Sequence, residues 1–304
     1  MNLSNLSDLV TEQRNPQSSN LDGMAITDIL QLINDEDKHV AFAVESALPQ
    51  IEVVVQNVYH VLKNGGRLFY VGAGTSGRLG IMDASECPPT FMTPPEMIQT
   101  VMAGGNGAFF KAVEGAEDQE AQGAADIAAQ SLTEKDAVIG ITASGRTPYP
   151  IGAVKYAKEI GAFTASLSSN QDSEISKYVD APMEIIVGPE ILTGSTRMKA
   201  ATSHKMVLNM LSTAVMVKLG KVYENLMVDV HASNYKLKER AKRNVIAVTD
   251  VTYEIAEKTL EETDYRVKPA IIMLKTSKSL QEVEDALTAS DGKVRQAITA
   301  LMGE

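Results

Sequence analysis

The stretch RLFYVGAGTSGR, residues 67–78, decides the fold. Its first half, from Arg67 to Gly72, is a short apolar run, which is typical of a strand buried on both faces of a parallel sheet. The glycines and hydroxyl residues that follow are typical of a tight turn that opens onto a helix. A strand, a turn and a helix in this order predict an α/β fold, in which ligands bind at the carboxyl ends of the strands.

The same alternation continues along the chain. Further strands are predicted at residues 98–103, 136–142, 163–167 and 183–187, and helices at 109–129, 150–160, 175–178 and from 197 to about 219. This order predicts a parallel sheet with right-handed crossovers and helices on both faces. Apolar residues recur at helical spacing between residues 25 and 63, residues 1 to about 20 are predicted to be a loose arm, and charged amphipathic helices follow from about residue 236.

Composition excludes several classes of function. The chain has 304 residues and a formal net charge of −11, so a broad nucleic-acid-binding surface is not expected. The sequence contains no run of 18 or more apolar residues, so no membrane span is predicted. The polar N-terminal segment lacks the pattern of a signal peptide. The single cysteine, Cys87, fits a reducing compartment, so a cytoplasmic protein is expected. The four histidines, His39, His60, His204 and His231, lack the spacing of metal ligands, so no metal site is predicted.

Three clusters of hydroxyl residues follow predicted strands. They contain Thr75 and Ser76, then Ser144 and Thr147, then Ser195 and Thr196. Hydroxyls and backbone N–H groups at a helix start can bind one phosphate group together. Each cluster taken alone is also typical of an ordinary turn or helix cap. The glycines at 72, 74 and 77 match a dinucleotide fingerprint only weakly, because no acidic residue ends the following strand in the expected place.

Two glutamates are candidates for acid–base chemistry. Glu86 precedes Pro88 and Pro89, which are predicted to end the helix that starts at Ser76. Glu117 lies in the predicted helix 109–129. Most glutamates are solvated surface charges, so the spacing alone does not assign a role to either of them.

Eight segments together carry a resemblance to a known family. They are residues 11–15, 33–38, 72–78, 83–89, 114–118, 143–148, 194–200 and 225–229, and they span nearly the whole chain. In these segments the sequence resembles the N-acetylmuramic acid 6-phosphate etherases. The resemblance implies a three-layer α/β/α sandwich with a five-stranded parallel sheet, known as the sugar isomerase (SIS) fold, and a small C-terminal helical domain.

The resemblance also implies an activity. The family removes the D-lactyl ether from N-acetylmuramic acid 6-phosphate, which gives N-acetylglucosamine 6-phosphate and D-lactate during recycling of cell-wall sugars. Its proton donor falls on Glu86 and its second active-site acid on Glu117. The phosphate is expected among Thr75, Ser76, Ser144 and Thr147, with Ser195 and Thr196 nearby. No cofactor or metal is implied, and a homodimer is usual.

The sequence leaves two alternatives open. A sugar-phosphate isomerase would also abstract a proton next to an aldehyde, and a phosphosugar-sensing regulator could share the fold without catalysis. In all three cases the ligand is a small sugar phosphate, and no nucleic acid or membrane partner is expected. The expected division is an N-terminal arm with helices (1–54), a sugar-phosphate-binding SIS domain (55–220), and a linker helix with the C-terminal helical domain (221–304).

Overall fold

The computed structural model of the protein describes residues 9–229 and 234–303. The chain forms two compact units. The first runs up to Ala84 and from Glu96 to Leu211, and the second contains Ser85–Pro95 and the chain from Ser212 onward. The division at residues 54 and 220 stays a prediction. Within the described ranges, no helix combines the length and the apolarity that crossing a membrane would require.

A five-stranded parallel sheet forms the centre of the first unit. Its strands are β1 (Leu68–Gly72), β2 (Ile98–Met102), β3 (Ala137–Ile141), β4 (Phe163–Ser168) and β5 (Ala181–Glu184). They lie in the order β2-β1-β3-β4-β5, and every neighbouring pair is parallel. All residues of β1 and β3 are buried, as continuous apolar strands require. Because β2 and β3 lie on opposite sides of β1, the strand order reverses between β1 and β3, where such sheets bind ligands.

Helices cover both faces of this sheet. The helices of the first unit include α1 (Ile26–Ser46), α2 (Leu48–Lys63), α3 (Gly74–Phe91), α4 (Glu120–Ala128), α5 (Pro148–Glu159) and α6 (Lys199–Lys218), of which α3 and α6 continue into the second unit. On one face Phe69 and Val71 pack in a core with residues of α4 and α5. On the other face α3 lies against Tyr70, whose hydroxyl donates to Asp83 at 3.0 Å. The predicted α/β/α architecture is therefore present.

The second unit is helical apart from a short hairpin. The hairpin pairs β6 (Val222–Tyr223) with β7 (Leu226–Met227). The helices that follow are α7 (Tyr235–Thr249), α8 (Tyr253–Glu262), α9 (Val267–Thr276), α10 (Leu280–Ala289) and α11 (Val294–Met302). Their buried apolar faces form a core of their own, as the amphipathic pattern predicts.

Four predictions about local structure are wrong. Pro88 and Pro89 do not end α3, because a proline removes only its own N–H bond and the Pro88 carbonyl still accepts from the Met92 N–H at 2.9 Å. The helix predicted over 109–129 begins only at Glu120. Before it lie two 3₁₀ turns, Asn106–Phe109 and Ala116–Asp118, because Gly115 adopts a left-handed φ of 72° that interrupts a helix.

The third wrong prediction concerns the N-terminal arm. From Leu9 to Gly23 it forms three short 3₁₀ helices, and Thr11 and Asn15 are buried within it. The described part of the arm is therefore packed rather than loose. The fifth strand also begins two residues earlier than predicted and ends at Glu184.

Candidate functional site

A cavity of about 860 Å³ lies at the carboxyl ends of β1 and β3, within the first unit. Its wall contains Thr75 and Ser76 from the turn after β1, and Ser144 and Thr147 from the turn after β3. These two turns flank the point where the strand order reverses, so the fold itself brings them together. Thr196 also lines the cavity, so five of the six predicted phosphate-binding residues are on its wall. The sixth, Ser195, is not among the described lining residues.

Close packing of the backbone shapes the turn after β1. A Cβ atom at Gly77 would lie 2.8 Å from the carbonyl oxygen of Gly72, so only glycine allows the helix to start this close to the strand. The first turn of α3 then lies against the cavity, where Thr75 and Ser76 are half-buried. Unpaired N–H groups and the helix dipole at such a terminus favour a bound anion.

Hydroxyl groups cluster in the turn after β3. The Oγ1 atom of Thr142 lies 2.8 Å from Oγ1 of Thr147 and 3.3 Å from Oγ of Ser144. Gly145, with φ of 70°, allows the chain to reverse here, and its carbonyl accepts from the N–H of Ile175 at 2.9 Å. Thr147 precedes α5, and its side chain makes no capping hydrogen bond to that helix. The start of α5 is therefore a second helix terminus at the cavity, and the hydroxyls of Thr142, Ser144 and Thr147 line it.

Charges of both signs line the cavity. The cations are Arg146, Lys155 and Lys177, and the carboxylates are Glu12, Glu117, Asp118, Glu120 and Glu174. Lys155 pairs with Glu120 at 2.7 Å, and Lys177 pairs with Glu174 at 2.7 Å. Attraction of an anion therefore depends on the two helix starts and on local donors rather than on the net charge, as expected for an acidic chain.

Glu117 is on the cavity wall. It lies in the 3₁₀ turn Ala116–Asp118, which packs against α5, so its carboxylate lies on the same side of the sheet as the hydroxyl turn after β3. Arg78 supports the preceding segment by donating to the carbonyls of Ala108 and Phe109, both at 2.9 Å. The carboxylate of Glu117 is exposed and makes no hydrogen bond or ion pair within the described ranges, so it is available to a ligand.

Glu86 is placed differently. It lies in the second half of α3, is exposed, and is not among the residues of the described chain that line the cavity. Gly74, which does line the cavity, belongs to the first unit, whereas Glu86 belongs to the second. The described wall of this cavity therefore contains Glu117 but not Glu86.

Buried polar residues hold the loop before α6. Glu190 accepts from the backbone N–H groups of Lys199 and Ala200, both at 3.0 Å, while burial raises its pKa. The buried ammonium of Lys199 pairs with Glu36 of α1. Burial opposes ionisation of Glu36, but hydrogen bonds from Lys199 and Asn15 outweigh it and lower its pKa. This network positions Gly194 and Thr196 at the cavity.

Sequence reasoning missed several residues of the wall. His204 lies on α6, its Nε2 atom is 3.0 Å from Ser169 Oγ, and burial lowers its pKa from 6.5 to about 4. Glu12 enters the cavity from the arm, and the only available signal for it was the family motif at residues 11–15. In the described part of the chain no group of His, Cys, Asp or Glu side chains is arranged to hold a metal ion, and His231 lies outside that part.

Comparisons with solved structures support the fold. The phosphoheptose isomerase of Francisella tularensis is similar with a TM-score of 0.52 and 19% identity, over 64% of this chain and 100% of that chain. The phosphoheptose isomerase of Neisseria gonorrhoeae is similar with a TM-score of 0.50 and 15% identity, over 63% of this chain and 99% of that chain. At these identities the likeness shows the fold alone.

Comparisons of sequence identify the family. Residues 50–158 match the glucokinase regulatory protein N-terminal SIS domain, and residues 115–214 match the SIS domain. The chain is 52% identical to N-acetylmuramic acid 6-phosphate etherase 1 of Bacillus licheniformis over 98% of both chains. It is 53% identical to the etherase of Bacillus subtilis over 97% of both, and 51% identical to that of Clostridioides difficile over 99% of both. The predicted SIS fold and family resemblance are thus confirmed, and the chain belongs to the N-acetylmuramic acid 6-phosphate etherase family.

Proposed function

We propose that this protein cleaves the D-lactyl ether of N-acetylmuramic acid 6-phosphate and releases N-acetylglucosamine 6-phosphate and D-lactate. The observation that supports this most directly is the cavity between β1 and β3, where two hydroxyl turns at helix starts face the unpaired carboxylate of Glu117. Such a cavity binds a phosphate at one end and offers a base to the rest of the sugar. The etherases to which this chain is more than half identical carry this substrate in their names.

The phosphate binds among Thr75, Ser76, Ser144 and Thr147, with Thr196 at the edge of the same cavity. We also assign Ser195 to this site through its neighbour Thr196, although Ser195 does not itself line the cavity of a single chain. Hydroxyl donors and two helix dipoles favour a dianion without a cluster of lysines. Fixing the phosphorylated end reduces the entropy that an open-chain sugar must lose before it reacts.

The proposed elimination of lactate depends on an aldehyde in the open-chain sugar. Opening of the sugar ring exposes C1 as an aldehyde, which acidifies the proton on C2. Glu117 removes that proton, and the electron pair forms a C2–C3 double bond as the lactyl oxygen leaves C3. Glu86 donates the proton to the departing lactate and then takes a proton from the water that adds to C3, after which C2 is protonated again. The scheme needs one base and one acid, which two carboxyl groups supply.

Glu86 reaches this site from a second copy of the chain. The described residues that line the cavity of one chain include Glu117 but not Glu86. A symmetric dimer supplies the same residue in both directions, so each cavity would contain Glu117 of one chain and Glu86 of the other. We therefore propose a homodimer with two shared sites. A chain whose single cysteine is Cys87 forms no internal disulfide, which fits the cytoplasm as its location.

Isotope labelling tests the proposed function. The protein is incubated with N-acetylmuramic acid 6-phosphate in deuterated, ¹⁸O-enriched water. Elimination and hydration place deuterium at C2 and ¹⁸O at C3 of the sugar, while lactate keeps its oxygen unlabelled. The Glu117→Gln variant is expected to lose turnover by about 10²–10⁴-fold and to retain binding of the sugar phosphate. A ketose product without lactate would instead identify an isomerase, and ¹⁸O in lactate would refute elimination.

A further inference from the structure

The N-terminal arm is anchored to the phosphate turn after β3. Thr11 is 1% exposed, its N–H donates to Asn170 Oδ1 at 3.4 Å, and Asn170 Nδ2 donates to Thr11 Oγ1 at 3.1 Å. The same Nδ2 also donates to the carbonyl oxygen of Ala143 at 3.1 Å. One buried amide therefore connects the arm to the turn that contains Ser144.

A second anchor follows four residues later. Asn15 is 5% exposed, and its Nδ2 atom donates to the carbonyl oxygen of Pro189 at 3.4 Å. Asn15 also helps to lower the pKa of Glu36, whose carboxylate pairs with the buried ammonium of Lys199. Because both ends of the segment 11–15 are fixed by buried groups, the backbone at Glu12 has little freedom to move away from the cavity.

The side chain of Glu12 lies on the cavity wall between these anchors. It is half-buried, and a Cβ atom built at Gly194 would lie 3.4 Å from its Oε2 atom, so the carboxylate reaches the third hydroxyl turn. Glu120 and Glu174, which also line the cavity, are neutralised by lysines at 2.7 Å. The carboxylate of Glu12 has no hydrogen-bond or ion-pair partner in residues 9–229 and 234–303. A fixed, unpaired carboxylate at the edge of a ligand cavity is available as a hydrogen-bond acceptor.

We propose that Glu12 is a sugar-binding residue that accepts hydrogen bonds from the hydroxyl or acetamido N–H groups of the substrate. This inference rests on the proposed function. A carboxylate only accepts hydrogen bonds and repels other anions, so it does not contact the phosphate or the lactyl carboxylate. Glu12 and the hydroxyl turns after β1 and β3 therefore fix the orientation of the sugar from two sides, with the phosphate on those hydroxyls and the donor groups of the sugar toward the arm.

Calorimetric titration of three variants tests this role. The variants are Glu12→Ala, Glu12→Gln and, as a matched control on the same arm, Gln13→Ala, whose exposed side chain does not line the cavity among the described residues. The probes are N-acetylglucosamine 6-phosphate and inorganic phosphate. Loss of a hydrogen bond to a charged group is expected to weaken sugar phosphate binding by about tenfold or more in Glu12→Ala. Glu12→Gln keeps a neutral acceptor and shows a smaller loss, while binding of inorganic phosphate is unchanged in every variant.

The outcomes separate this role from a structural one. If Glu12 only supported the arm, both probes would lose affinity in parallel, and thermal unfolding would report a less stable chain. Parallel loss, an unchanged affinity for the sugar phosphate, or a wild-type chain that binds it no more tightly than inorganic phosphate would each overturn the inference. Failure of the wild-type protein to release lactate overturns the proposed function instead, because the titrations require no turnover.

Discussion

Replacing His204 with glutamine is expected to change how the stability of the protein depends on pH. The imidazole is 1% exposed and lies 3.0 Å from Ser169 Oγ. Burial disfavours its charged form and lowers its pKa from 6.5 to about 4, although a hydrogen bond with the backbone of Ser168 acts in the opposite direction. At neutral pH the side chain is therefore buried without charge.

The sign of the effect follows from the number of protons bound in each state. Between pH 6.5 and about 4 the imidazole is protonated in the unfolded chain and neutral in the folded one. A fall in pH through this window therefore favours unfolding, and stability is lost as the pH decreases. At about pH 5 the loss is about 2 kcal/mol, since each pH unit below the unfolded pKa costs about 1.4 kcal/mol.

Urea unfolding of the wild type and His204→Gln at about pH 7.5 and about pH 5 measures this loss. The variant carries a constant penalty for altered packing, but it lacks the proton-linked loss. Between the higher and the lower pH, the free energy of unfolding of the wild type should therefore fall by about 2 kcal/mol more than that of the variant. His39→Gln, an exposed position on α1, is the control and should follow the wild type. Equal pH dependence of the wild type and His204→Gln would refute the reasoning.

Two further predictions concern the phosphate turn and the dimer. Gly145→Ala places a Cβ atom 2.3 Å from Ser173 Cβ at a φ of 70°, so it should lower stability by about 1–3 kcal/mol and weaken phosphate binding, as thermal unfolding and titration would measure. The control Gly107→Ala has no atom within 4 Å of its new Cβ, and equal behaviour of the two variants would contradict the argument. Mixing the inactive variants Glu86→Gln and Glu117→Gln, with subunit exchange, should restore about a quarter of wild-type activity, because a mixed dimer has one intact shared site. No recovery after confirmed exchange would show that the site is not shared.

The local sequence pattern was sufficient to predict an element when that element is specified by a single short segment. The apolar run at 67–72 predicts β1, because a strand covered on both faces excludes polar side chains along its length. The Gly, Ser and Thr residues after β1 and β3 predict turns that bind an anion, and both turns line the same cavity. Local pattern was insufficient for α3, because prolines have only a tendency to end helices, and for Glu117, whose turn depends on the left-handed conformation of Gly115.

From its sequence alone this protein could be recognised as a parallel α/β chain with hydroxyl turns at strand ends and a helical C-terminal part, because these features repeat at short range. Only the tertiary structure decided which residues share the cavity. Thr11 meets Asn170 across 159 positions of sequence, and this contact brings Glu12 to the wall. The same structure places Glu117, but not Glu86, among the described residues of the wall. Contacts at such separations depend on how the whole sheet and its helices pack, and no local pattern encodes them.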